Sequence, residues 1–520
     1  MNILKIEAGR EAIRLYTDAD GEVIVRERVA TVGGKPGRQL SVVKTQAKGG
    51  VIELPRQHAD GHDGLFSRYT VQVGDARAEG VCYVTDVAAD VPENTSPYPQ
   101  PATIKTLDGS SEVLEKLGIR QGLLNVNLPN LMTTVPGDDT IDYAFNGRTY
   151  YFRRSAVEAV DRHMLSVPMT TMILLNSPKL FGSTGEKELL DSCIHPHYDW
   201  SCPNAYISAF DMETEEGQGY YGAFVEFLVQ RYTRPDNRYG RAVGAIVSNE
   251  VNSQYVWGNA GEMPVEQYVR EYAQALRLTW LCGQKHCSHF RVYISLDQFW
   301  CGANFDASKP GRYYSGRTML ELLNTYANQE GNFGWNVAYH PYPEDLNCPD
   351  FWNDRAPNFT FSTPKITFKN MEVLEAFLSQ QAFHYRGAAR RIIFSEQGFN
   401  SQKGALQALT EKQAAAGYVL AYSKARKMKT VDMMTHHAFR DNPHEFGLNL
   451  GIFRYDPTKP DHLGEPKPIF ESVCAMDTPE EPAVVAKARA FIGEDLFDYL
   501  MDPPLLYGER DTSLDDAFGA

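Results

Sequence analysis

Two apolar runs in this chain end on a carboxylate. Ala245-Ile246-Val247 gives way to Ser248-Asn249-Glu250, and Ile392-Ile393-Phe394 gives way to Ser395-Glu396. A strand that stays apolar and then presents a glutamate puts an ionisable group at the rim of a buried sheet. Two such groups aimed at one bond can divide the work: one carboxylic acid donates a proton while the other, as a carboxylate, attacks or stabilises the electron-poor atom. A third run, WNVAYHPY over 335–342, places an imidazole and a phenol, His340 and Tyr342, at the same kind of position. Alone, each of these residues reads as a solvated loop group or a charge at a helix N-terminus. Their recurrence in order along the chain gives the pattern its weight.

The elements that must hold them follow a regular alternation. Strand-like runs cover 103–107, 121–128, 170–177, 242–250, 291–297, 335–342, 390–396 and 431–439, each with a helical segment after it. In the fourth helix Val265, Tyr268, Val269, Tyr272 and Leu276 fall on one face, the 3.6-residue period of an amphipathic helix. The strands are apolar nearly throughout, as a parallel sheet covered by helices requires. Eight such units predict an α/β fold, a (β/α)8 TIM barrel over 102–476, with an open doubly wound sheet as the alternative. In a barrel the strand ends line one mouth, so Glu250 on strand 4 and Glu396 on strand 7 approach from opposite sides.

Residues 1–90 read as short strands separated by Gly and Asp turns, which predicts an N-terminal β-sandwich domain without helices. Four prolines within 91–101 mark a linker. Residues 477–520 form a C-terminal extension expected to pack on the barrel, with a helix near its start. Within the second unit, the aromatic runs over 141–152 flank Asn146-Gly147, a type I′ hairpin signal, and the hairpin is expected over one end of the barrel.

On Asn249-Glu250, Ser395-Glu396-Gln397-Gly398 and His340-Pro341-Tyr342, the stretch 100–475 resembles the retaining glycoside hydrolases of clan A, in a branch whose barrel follows an N-terminal β-domain. The resemblance implies that Glu250 is the proton donor, Glu396 the nucleophile and Asn249 the partner of the sugar 2-hydroxyl. It implies a hydrogen bond from Tyr342 that keeps Glu396 ionised, and an oligosaccharide or polysaccharide as substrate. The chain departs from that pattern at the end of strand 8, where many relatives carry tryptophan and this one has Thr435-His436-His437-Ala438-Phe439. A non-catalytic carbohydrate-binding barrel is the alternative; a binding protein has no need of the acid.

Further candidates sit in the loops. Trp300 and Trp352 are aromatic faces on which a sugar ring could pack. Asn125, Asn127, Asn176 and His340 are candidate hydroxyl-binding groups. Of the adjacent His436 and His437 only one can face the mouth, and His436 is the residue expected there. His195 and His197 with Asp199 have metal-ligand spacing but no convincing fourth ligand, so no metal is expected, and no cofactor motif occurs: GSTGEK over 182–187 lacks the Walker spacing. The net charge of −15 offers no basic stripe for nucleic acid, and no apolar run is long enough to span a bilayer. The eight cysteines include no C-x-x-C pair and read as mostly free thiols. The N-terminus lacks a signal-peptide pattern, which predicts a cytoplasmic protein unless a leader has been removed.

Overall fold

The computed structural model describes residues 1–108, 111–179, 186–303 and 306–504. Its centre is a sheet of eight strands in the cyclic order of a barrel. In chain order they are Lys105–Leu107, Gln121–Asn127, Met169–Leu175, Ala242–Val247, Arg291–Asp297, Trp335–His340, Ile392–Phe394 and Val431–His436. Seven consecutive pairings are parallel ladders. The first and second strands close the ring through side chains: the Thr106 hydroxyl donates to the Gln121 carbonyl, and the Gln121 amide donates to the Thr103 carbonyl at 3.1 Å. The fold is therefore the predicted (β/α)8 barrel and not an open doubly wound sheet.

Each strand is followed by a helix of the outer ring: Ser111–Lys116, Arg154–Ser166, Glu215–Tyr232, Val265–His286, Gly316–Glu330, Glu372–Leu378, Gln407–Lys427 and Pro468–Ala475. Inside the barrel, Ile246, Tyr293, Ala338, Ile393 and Met433 form a packed layer that Leu123 and Ile173 complete. Such a layer is a floor: chemistry can occur only above it, at the C-terminal strand ends. At the opposite end Arg291 and Arg391 converge on Asp432, and the Tyr98 ring of the linker lies 3.4 Å from the Arg291 guanidinium.

Two sheets precede the barrel, antiparallel in their main pairings. One is built on Asn2–Ala8, Ala12–Thr17 and Val51–Pro55, the other on Gly21–Arg28, Gln39–Ala47 and Arg68–Val73. Ile6, Ile13, Leu15, Val23, Val25, Ile52 and Val71 are buried between them. The strand Asn2–Ala8 was not foreseen. The end of the stretch read as strands, 80–87, contributes only the short pairings of Glu79–Gly80 and Asp86–Val87. One 3-10 turn, Gly64–Phe66, interrupts the sheets.

The hairpin forms as Thr140–Phe145 and Arg148–Arg153, with Asn146 and Gly147 both at positive φ (45° and 77°). Its expected place is corrected: it flanks the barrel instead of covering an end. Phe152 stacks on Phe227 of the helix Glu215–Tyr232 at 4.0 Å, and Phe145 meets Phe66 of the N-terminal domain at 5.2 Å. A Cβ at Gly147 would lie 2.0 Å from the Asp60 carbonyl oxygen, so the turn is held against that domain where only glycine fits. Past the barrel, Glu481–Ile492 and Glu494–Met501 pack on the seventh helix, where Lys424 donates to the Leu500 carbonyl at 2.6 Å. No helix among the described residues is long and apolar enough to cross a membrane.

Candidate active site

Strand 4 leaves the sheet through a sharp bend. Ser248 and Glu250 both adopt left-handed backbone, φ 63° and 39°, which costs a non-glycine residue of order 1–3 kcal/mol. The bend is pinned: the Ser248 hydroxyl donates to the Trp257 carbonyl at 3.0 Å, and the Glu250 N–H donates to the Ser295 hydroxyl on strand 5 at 2.9 Å. It turns the Glu250 side chain across the mouth toward strands 6 and 7. Glu250 Oε1 lies 2.8 Å from His340 Nδ1, and His340 Nε2 lies 3.0 Å from the Ser395 hydroxyl. Tyr342 donates its hydroxyl to Glu396 Oε1 at 3.1 Å. Ligating atoms of Glu250, His340 and Glu396 all lie within 4.8 Å of one another.

Strand 7 reaches this point because Gly398 has no side chain; a Cβ there would sit 2.3 Å from the His437 carbonyl oxygen. The Gln397 amide donates inward to the Thr435 carbonyl and anchors strand 7 to strand 8.

The electrostatics differ between groups. Burial, reinforced by the negative charge of Asp297, pushes the Glu250 carboxyl well above the ordinary range, although 14% of its side chain still meets solvent. Burial lowers His340, which favours the neutral imidazole beside Glu250. Burial and the neighbouring Glu396 and Glu250 raise Tyr342, which stays a phenol and a donor. Asp297 is itself buried, holding Asn252 at 2.5 Å and Ser253 at 2.6 Å. Neither Ser295 nor Asp297 was singled out from the sequence; the carboxylate ending ISLD on strand 5 was the available signal.

The other sequence candidates divide. Asn249 is half-buried at the bend and makes no side-chain hydrogen bond among the described residues. Asn125 is exposed, in register with the inward Ile173. Asn127 and Asn176 are buried and used locally: Asn127 exchanges hydrogen bonds with the Ser177 backbone at 2.8 and 2.9 Å, and Asn176 donates to the Cys193 and Ala209 carbonyls. Trp300 is fully buried, its indole N–H on the Phe361 carbonyl at 2.8 Å and its ring against Phe377, so it packs a loop and offers no face to a ligand. Trp352 is buried at the Phe351 and Phe491 rings. Rings that reach solvent also come from other loops: Tyr206 stacks on Trp257 at 5.1 Å and meets Phe446, which is 69% exposed.

His436 is a correction. Met433 faces the barrel lumen, so Thr435 and His437 do too, and His436 points outward. It is buried against Phe399 and Tyr418, hydrogen-bonded to the Leu450 carbonyl at 2.9 Å, and pushed down to about 3 by burial. His437 occupies the mouth instead, 3.1 Å from Asp108 and 3.3 Å from Glu445.

Among the described residues, two sets of side chains could hold a metal ion: Glu250, His340 and Glu396, and a separate set of His195, Glu213 and Glu271. The second differs from His195, His197 and Asp199, the set with metal-ligand spacing in the sequence, for which no metal is expected. His195 turns to Glu271 at 3.0 Å and His197 to Glu213 at 3.3 Å, while Asp199 accepts from Ser201 and Tyr255.

Residues 97–499 match the Family of unknown function (DUF5722), and the chain belongs to that family. No curated protein matches it. Among solved structures it is similar to a family 39 glycoside hydrolase from the gut symbiont Bacteroides cellulosilyticus WH2, with 12% identity over 91% of this chain and 81% of that one, at a TM-score of 0.41. It is also similar to Fpglu1 from Fervidobacterium pennivoraus (12% identity, 75% and 85% covered, TM-score 0.43). A third is the family 1 β-glucosidase from Thermotoga maritima (11% identity, 70% and 84% covered, TM-score 0.40).

Proposed function

We propose that this protein is a retaining glycoside hydrolase that works by double displacement, with Glu396 as nucleophile and Glu250 as acid and then base. The observation that carries this reading is the pair itself. Two glutamates from strands 4 and 7 bring carboxylate oxygens within 4.8 Å, in unlike surroundings. Retaining pairs stand ~5–5.5 Å apart, whereas inverting pairs stand ~6.5–9.5 Å apart to admit a water between carboxylate and sugar.

The chemistry follows from the surroundings. Glu250, whose proton is held more tightly than an ordinary carboxyl's because of burial and the Asp297 charge, gives it to the glycosidic oxygen as that bond breaks. Glu396, oriented by the Tyr342 hydroxyl, attacks the anomeric carbon and forms a glycosyl ester. Glu250, now a carboxylate, takes a proton from the incoming water, whose oxygen displaces Glu396 and restores both groups. Two inversions leave the anomeric configuration unchanged. His340 is a positioning residue: neutral and fixed by Ser395, it holds Glu250 without competing for charge. Asn249, whose amide makes no hydrogen bond among the described residues, is assigned the sugar hydroxyl on this reading.

The test is a panel of aryl glycosides and oligosaccharides with product configuration followed by NMR. Wild type is expected to release the retained anomer, and Glu396→Gln to lose turnover of every substrate. Glu250→Ala is expected to keep activity only on good leaving groups and to be accelerated by azide, giving a glycosyl azide of retained configuration. An inverted product from wild type, or full activity in Glu396→Gln, would sink the proposal. Sugars bound but never cleaved would favour the non-catalytic barrel.

A further inference from the structure

The end of strand 8 carries a charged assembly that the double displacement does not use. His437 Nδ1 lies 3.1 Å from Asp108 Oδ2, at the end of strand 1, and His437 Nε2 lies 3.3 Å from Glu445 Oε1, in the loop after strand 8. Asn442 donates to the other Glu445 oxygen at 3.0 Å. The second oxygen of Asp108 has no hydrogen bond among the described residues, and its side chain is 58% exposed. Burial opposes a charge on His437. The hydrogen bonds to Asp108 and Glu445 and the nearby Glu396 outweigh it, so an imidazolium sits between two carboxylates beside the catalytic pair. Asp108 reaches solvent but stands among many protein groups, which opposes its charge; the bond to His437 nevertheless holds its carboxyl below the ordinary range, and the separate bond from His437 holds Glu445 down.

Resting on the hydrolase reading above, we propose that the Asp108–His437–Glu445 wall selects the sugar at the catalytic pair, and that it admits a glycosyl unit bearing hydroxyls but no anionic group. The argument is one of charge and donors. Asp108, Glu445 and the nucleophile Glu396 face one imidazolium, and among the described residues no lysine or arginine pairs with any of the three. A uronate, sulfate or phosphate on the sugar would enter a negative site that, among the described residues, offers no lysine or arginine to meet it, a like-charge penalty that works as rejection. A sugar hydroxyl, by contrast, is a donor, and the open Asp108 oxygen accepts it in a charge-assisted hydrogen bond. The imidazolium fixes that carboxylate in place, so the acceptor is preorganised.

The measurement is binding, separate from turnover. Methyl glucoside, galactoside and mannoside are titrated into the full chain by ligand-observed NMR, alongside the three corresponding methyl glycuronides. At least one neutral glycoside is expected to bind about 10-fold or more tightly than its uronide, one charge-assisted hydrogen bond's worth of discrimination. Asp108→Asn, at an exposed position, is expected to weaken the neutral sugar by about 10-fold and to narrow the gap to the uronide. Glu445→Gln, checked for an unchanged melting temperature, is expected to narrow it also. Uronides bound as tightly as neutral sugars, a preference unmoved by both variants, or binding of neither class would overturn the inference. The two readings fail separately: neutral sugars that bind but are never hydrolysed defeat the hydrolase and leave the wall standing, whereas uronides cleaved with retention defeat the wall and leave the hydrolase.

Discussion

Tyr342→Phe isolates one atom of the site. The ring is buried at 7% exposure and remains in place, so the change removes the hydroxyl without opening a cavity. What is lost is the donor 3.1 Å from Glu396 Oε1. A hydrogen bond to a charged group is worth about 1.5–3 kcal/mol. Because the same bond orients the nucleophile, the loss falls on the step in which Glu396 attacks. At about 1.4 kcal/mol per decade of rate, it predicts a fall in kcat/KM of about 10- to 150-fold. The assay is formation of the glycosyl ester, read as the inactivation rate with a 2-fluoro-sugar that traps it, alongside steady-state turnover of an activated aryl glycoside. Both rates are expected to fall together, with sugar binding in the Glu396→Gln background little changed. A variant within about threefold of wild type in both rates would refute the role given to this contact, since a hydrogen bond to a charged group is worth more.

Asp297→Asn removes a buried negative charge that raises Glu250, and the amide can still donate to the Ser253 hydroxyl. Glu250 must be protonated to act as the acid, so activity is lost as pH rises through its pKa; the alkaline limb of kcat/KM is expected to move to lower pH in the variant, and an unmoved or raised limb would contradict the assignment. Trp257→Ala is expected to raise KM for an oligosaccharide with little change for a small aryl glycoside, by removing a ring that stacks on Tyr206 near the mouth. Trp300→Phe, in the buried loop, should lower the melting temperature and leave KM alone; the reverse pattern would show that the wrong aromatic cluster has been chosen.

The barrel was legible because its signal is repeated. Eight apolar runs alternating with amphipathic segments constrain one another, and the weakest of them, Lys105–Leu107, is only three residues long in the structure yet completes the ring. The N-terminal sheets were less so. Asn2–Ala8 alternates as a strand should, but it opens the chain with no turn signal before it. The hairpin's turn was readable from Asn146-Gly147. Its docking was not, because that depends on Phe66 and Phe227, far along the chain and carrying no mark of their partner.

The site divides along the same line. Glu250, Glu396, His340 and Tyr342 each close an apolar run, so type and position were both on view. The tryptophans misled because an aromatic loop residue looks the same whether it lines a cleft or, like Trp300, pins the loop through its own N–H. His436 misled for a different reason. Val431–His436 is buried on both faces, so its sequence shows no alternation from which to tell lumen from helix layer. A single inward residue settles it: with Met433 in the barrel floor, His437 must face the mouth. That parity has a chemical consequence. An outward His436 sits among Phe399 and Tyr418 and loses its charge, while an inward His437, one residue on, meets Asp108 and Glu445 and keeps it. Two identical side chains, adjacent in sequence, thus become a core residue and a cation in the mouth. Their partners, at the end of strand 1, just after strand 7, on the seventh helix and in the loop after strand 8, are what the barrel supplies and the local sequence does not contain.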